Sequence, residues 1–147
     1  MPVHLPHPEI DSQFYDGVPI KRFLAWIIDV CIVFGLLLVA LIFTFGLAAI
    51  VFPLTLLVLN LAYRTYCLQR WSATIGMRVL GIEIRDKEGD RLDGTAAFFH
   101  TAIFIFLFAS VIGAVANMVA IIVSDRGQGL HDLILGTAAI NTPAETV

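Results

Sequence analysis

The sequence predicts an all-α membrane protein with three transmembrane helices, or four if the third apolar stretch is broken, and a small cytosolic β-hairpin. Three observations predict it. Between Asp29 and Arg64 lie 34 residues without a charge, too many for one span of about 20 residues and suited to two spans joined by a tight turn. Lys21 and Arg22 frame that run on one side, Arg64 and Arg70 on the other, as cations frame membrane segments. The 147-residue chain is 59% hydrophobic and 14% charged, with a mean hydropathy of +0.88; a soluble domain carries roughly 25% charged residues. This length holds one domain. With a formal net charge of −3 and basic residues strung along membrane flanks, no nucleic-acid partner is expected.

Residues 1–20 read as a polar, Pro-containing cytosolic tail, without the basic segment and small-residue cleavage site of a signal peptide. His4 and His7 offer too few ligands for a closed metal site. The first span covers 23–42, and Thr44-Phe45-Gly46 supplies the turn. The second span covers 47–66, with Pro53 in its first turns expected to bend it. In the cytosolic loop 67–94, Val79 to Ile84 alternates like a strand, Asp86 to Asp90 is turn chemistry, and Arg91-Leu92 begins a returning arm. The third stretch, 95–123, is longer than one straight span and shorter than two, and Gly113 permits a break. It is either one tilted helix with the C-terminus outside, or a re-entrant hairpin returning Thr137 to Ile140 to pair with Val79 to Ile84. Residues 142–147 form a C-terminal tail. Lys21 and Arg22 precede the first span and six of the nine Lys and Arg residues follow the second, which puts the N-terminus and middle loop in the cytosol.

Asp29 lies inside the first span, where an ionised carboxylate costs about 2.5–3.5 kcal/mol unless it faces protein or water or is protonated. Arg22 is about 10 Å away along the helix, seven residues at 1.5 Å each, beyond the full reach of its side chain. Folding the two spans antiparallel about Gly46 sets Asp29 level with Ala62 to Arg64, with Asn60 one turn deeper. Arg64 is therefore the expected counter-ion. The pair is read either as a lock on the hairpin or as a carboxylate that takes up a proton or cation. In the third stretch Ser110, Gly113, Ala114 and Asn117 share one helical face, as a packing seam or the lining of a polar path. His100 is expected at the membrane interface, as are Trp26, Tyr63, Tyr66 and Trp71. Cys31 and Cys67 are expected as free, buried thiols. No phosphate loop, zinc spacing or nucleophile elbow is present, so neither enzyme activity nor a metal or other cofactor is expected.

Three ordered segments carry a resemblance: Lys21 to Asp29, Ser72 to Ile82, and Gly129 to Thr137. Together they resemble the RDD family of bacterial membrane proteins over about residues 17–141. The resemblance implies that Arg22, Asp29 and Asp132 are the arginine and two aspartates of the family name, and that the chain sits in a bacterial inner membrane. Met77, where a basic residue is common, and the single Arg126 before His131 depart from the family pattern.

Two functions follow from different classes. In the first, a homo-oligomeric transporter or cation/proton antiporter subunit exchanges a proton or monovalent cation at Asp29, with Arg64 tuning its charge and His131-Asp132 gating the cytosolic mouth. In the second, an accessory or assembly subunit docks a larger membrane complex and its charges are structural.

Overall fold

The computed structural model describes residues 4–143. Helix α1 (Val18–Phe43) starts after Gly17, whose φ of 67° suits glycine, and carries Pro19 in its first turn, where no backbone bond is lost. Val18, Arg22, Ala25, Asp29, Val33 and Leu37 form its buried stripe, the three- and four-residue spacing of one helical face. Its other faces bear exposed Phe23, Phe34, Leu38 and Phe43. Phe45 and Gly46, both with positive φ, reverse the chain as expected. The return begins with a single turn, α2 (Leu47–Ile50), and continues as α3 (Phe52–Trp71). Pro53 therefore starts a helix where a bend was expected.

Thr74 accepts a hydrogen bond from the Met77 N–H and caps the short α4 (Ile75–Val79). Strand β1 (Ile82–Arg85) follows, and Asp93 caps α5 (Gly94–Phe108) through the Ala96 N–H. The third apolar stretch is broken at Ala109-Ser110 rather than at Gly113: α6 (Val111–Val123) leaves α5 at 118°. Ser110 Oγ accepts the Gly113 N–H and so caps α6. Gly113 serves close approach, since a Cβ there would sit 2.3 Å from the Leu107 carbonyl oxygen. Helix α7 (Leu130–Leu135) ends at Gly136, with φ 68°, and leads into β2 (Ala138–Asn141).

The strand near Ile82 does not pair with a local returning arm but forms a two-stranded antiparallel sheet of β1 and β2, the pairing expected if the third stretch is broken, with Ile82 opposite Asn141 and Arg85 opposite Ala138. Arg91 makes only an isolated bridge to Arg85. Both strands are buried, and Glu83 is paired with Arg85 Nε at 2.8 Å. The residues before α1 are docked rather than free. Tyr15 donates to the Pro6 carbonyl, Asn141 Nδ2 donates to the carbonyls of Gln13 and Asp16, and Lys21 Nζ donates to Asn141 Oδ1. Of the C-terminal tail, residues 144–147 lie outside the described residues.

Among the described residues, the segment Ser12–Phe43 is long and apolar enough to cross a membrane by itself, and α5 with α6 qualifies only as a bent pair. The fold is thus mostly helical, with one small sheet. A Cys placed at Lys87 and another at Thr142, with exposed Cys31 replaced by Ser, are expected to react with an impermeant thiol reagent from the same side of the membrane. Reaction from opposite sides would contradict the sheet.

Candidate functional site: two buried ion pairs on one helix face

The stripe of α1 carries one charge of each sign, and each is met by a different part of the chain. Asp29 is 3% exposed. Tyr63 OH donates to its Oδ1 at 2.7 Å and the Gly76 N–H donates to the same oxygen at 3.0 Å. Arg64 Nη1 reaches Oδ2 at 3.4 Å. The counter-ion is the expected one, because antiparallel helices folded at Gly46 fix the level of Arg64. Tyr63 is a ligand of the carboxylate rather than an interfacial ring, and its OH also accepts the Ile75 N–H. Gly76 permits the approach of α4. A Cβ there would lie 2.3 Å from the Ala25 carbonyl oxygen and 2.8 Å from Asp29 Oδ1.

Arg22 is paired two turns earlier, by a residue far away in the chain. Its Nη2 lies 2.6 Å from Asp132 Oδ2. Asp132 Oδ2 also accepts the Gly129 N–H, while its Oδ1 accepts from His100 Nε2 at 2.9 Å and Thr137 Oγ1 at 3.1 Å. His100 is fully buried, not interfacial. Asn117 joins this knot. Its Oδ1 accepts from the Leu130 N–H and faces His131 Nδ1 at 2.9 Å. A backbone donor identifies that atom as oxygen, so His131 carries its proton on Nδ1 and accepts from Arg22 through Nε2, 3.2 Å away. Ligand atoms of His100, His131 and Asp132 all lie within 4.8 Å of one another, a spacing that suits a metal. The guanidinium of Arg22, close to both Asp132 and His131, fills the place such a cation would take.

Phe104 joins the two knots: the Arg64 guanidinium lies 4.1 Å above its ring, and the His131 ring meets it edge-to-face with centroids 5.3 Å apart. A cavity of about 340 Å³ opens beside them, lined at its polar end by Arg22, Asp29, Arg64, Asn117 and His131. A second, of about 440 Å³, reaches Pro53 and the half-buried Asn60. Of the small-residue face, Asn117 is buried in the first knot, Ala114 is half-buried, and exposed Ser110 is a helix cap. Met77 is a core residue against Ala25 and lines the first cavity. Cys67 is buried and Cys31 is exposed; both are free.

The RDD family model matches residues 17–136, a stretch that holds Arg22, Asp29 and Asp132. The chain belongs to the RDD family. No curated protein and no solved structure matches it. In this RDD domain, which is membrane-associated, Arg22, Asp29 and Asp132 do not form one triad. Arg22 and Asp132 form a pair, and Asp29 belongs to the other knot.

The pairing has consequences for stability. Burial alone would raise the Asp132 carboxyl, but Arg22 and the two imidazoles outweigh it and hold it well below the usual carboxylate range. Burial lowers His131 well below its usual value, with Asp132 opposing and His100 and the arginines reinforcing. Both folded values lie below the unfolded ones, so both contribute stability that is lost as pH falls. The Asp132 contribution remains until pH drops below about 3.9; that of His131 begins to fade below about 6.5. Thermal unfolding in a mild detergent is therefore expected at lower temperature at pH 5 than at pH 7.5, and His131→Gln should flatten that dependence. A dependence equally steep in the variant would remove His131 from the account. Gly76→Ala should destabilise by about 1–3 kcal/mol, the usual cost of overpacking, as read by denaturant titration, while Gly35→Ala, which has open space around it, should change little.

Proposed function

We propose that this RDD domain is a small transporter subunit, with the Asp29–Arg64 pair as the partition between two cavities. One observation carries the reading. The two cavities share Trp26, Asp29, Arg64, Phe104 and Phe108 as lining, so moving these few side chains would join them. Asp29 is built for exchange at one oxygen only. Its Oδ1 is held by Tyr63 and Gly76, whereas Oδ2 has the single long contact to Arg64. A proton or monovalent cation taken up at Oδ2 would replace Arg64 there, and the freed guanidinium would move toward one cavity or the other.

On this reading α1, α2 with α3, and the bent α5–α6 pair are the membrane segments. The Lys and Arg residues around 21–22 and 64–91 argue for an N-terminus and a sheet on the cytosolic side of a bacterial inner membrane. The exposed apolar faces of α1, α3 and α6 meet lipid or further copies, and a homo-oligomer would enclose a path that so few helices cannot. A second reading, an accessory subunit with purely structural charges, draws support from the three donors that already satisfy Asp29.

Asp29→Asn separates the two, because the amide oxygen can still accept from Tyr63 and Gly76. In proteoliposomes with an imposed sodium or pH gradient, the wild type is expected to dissipate the gradient and Asp29→Asn to slow it at least tenfold. Equal rates in both proteins, together with a stoichiometric foreign partner in native mass spectrometry, would establish the accessory role instead.

A further inference from the structure

Two buried donors at the first cavity have no partner. Arg64 Nε and Asn117 Nδ2 are closed off from solvent and, among the described residues, donate to nothing. A donor left in this state costs about 1–3 kcal/mol, and folded proteins keep few of them. Arg64 is served worse than one orphan atom suggests. Its guanidinium carries five N–H donors, and its one hydrogen bond among the described residues is the 3.4 Å contact to Asp29. Turning the Asn117 amide over brings no relief, because its oxygen already takes the Leu130 N–H and the His131 Nδ1–H. Both residues line the 340 Å³ cavity, and a ligand there reaches the two orphan nitrogens by displacing the side chains that seal them.

The rest of that cavity is apolar. Phe23, Met118, Ile121 and Ile122 form its wall, and Phe23 and Ile122 are themselves 52% and 77% exposed on the outer surface of the helices. Its mouth thus lies among side chains suited to hydrocarbon. A free small anion would have to cross that apolar rim, whereas an amphiphile in the bilayer already lies against it. The volume falls at the low end of the roughly 300–1,000 Å³ of ligand pockets, which suits one chain rather than two.

The geometry points to a binding site for a single-chain amphiphile with an oxyanion head, a carboxylate or a phosphate monoester, seated on Arg64 and Asn117 with its chain along Phe23, Met118 and Ile122. Unpartnered donors call for an acceptor, a guanidinium with one long contact calls for a negative one, and the wall calls for an alkyl chain. The inference deepens the transport reading by naming a ligand for the same cavity, yet it rests on binding alone. The head group and Asp29 would compete for one guanidinium.

Trp26 lines the cavity and serves as reporter once the other tryptophan is changed by Trp71→Phe. The full chain, in phosphatidylcholine nanodiscs, is titrated with a brominated sixteen-carbon fatty acid and, separately, with its methyl ester, which partitions into the bilayer without the charge. Saturable quenching of Trp26 by the acid, at least tenfold more potent than by the ester, is expected; equal potency would overturn the oxyanion site. Brominated diacyl phosphatidylglycerol as potent as the acid would overturn the single-chain assignment. Asn117→Asp keeps the oxygen that ties α7 and replaces the free donor with an acceptor, and should weaken the acid at least tenfold. Ile122→Phe narrows the mouth without touching a polar group and should do the same; acid binding unchanged in both folded variants would reject the site. Acid binding without any gradient dissipation would end the transport reading and leave this site standing, and dissipation without acid binding would do the reverse.

Discussion

Arg22 and Asp29 stand two turns apart on the buried stripe of one long apolar helix, and neither charge can remain there alone. An uncompensated ion in such surroundings costs several kcal/mol. The rest of the molecule answers that constraint piece by piece. Asp29 draws in α3 through Tyr63 and Arg64 and α4 through the Gly76 N–H. Arg22 draws in α7 through Asp132, which in turn holds α5 through His100. Asn117 then ties α6 to α7. Little of this polarity is left to solvent: the seven side chains named are each buried, and the apolar surface lies outside them. The usual layout of a soluble domain is inverted around α1.

What the sequence made legible was whatever follows from local geometry. Counting residues from the turn at Gly46 sets Asp29 level with Arg64, because both helices rise 1.5 Å per residue. The apolar runs, the turn residues and the strand alternation near Ile82 are likewise local. The Arg22–Asp132 pair was not legible, since nothing periodic connects residues 110 positions apart. His100 looked interfacial for the same reason: its partner, Asp132, lies on a helix whose placement depends on the whole fold. The break in the third stretch had a signal of its own. Ser110 stands just before an apolar run, as a helix cap does, and was outweighed by the conformational freedom of Gly113. Strand pairing went to Ala138–Asn141, the partner that a returning third stretch offers, and left Arg91 with a single bridge to Arg85.

Arg22, Asp29 and Asp132 take on different tasks. Arg22 with Asp132 is the tighter pair, embedded among two imidazoles, a threonine and an asparagine. Asp29 with Arg64 is the looser one, and Arg64 faces both cavities. A short contact ringed by further hydrogen bonds resists rearrangement; a long contact to an under-used guanidinium does not. The tighter knot anchors α7 against α1, and Phe104 packs between it and the looser pair.

The sheet also imposes an order on biogenesis. β1 leaves the ribosome well before β2, and the whole of α5, α6 and α7 separates them. Until those helices have been made and packed, β1 has no partner for its backbone groups, and Asp132 has not yet reached Arg22. The N-terminal residues that rest on Asn141 are synthesised first and docked last. The polar cap is therefore a clasp that closes only once the last elements of the chain are in place.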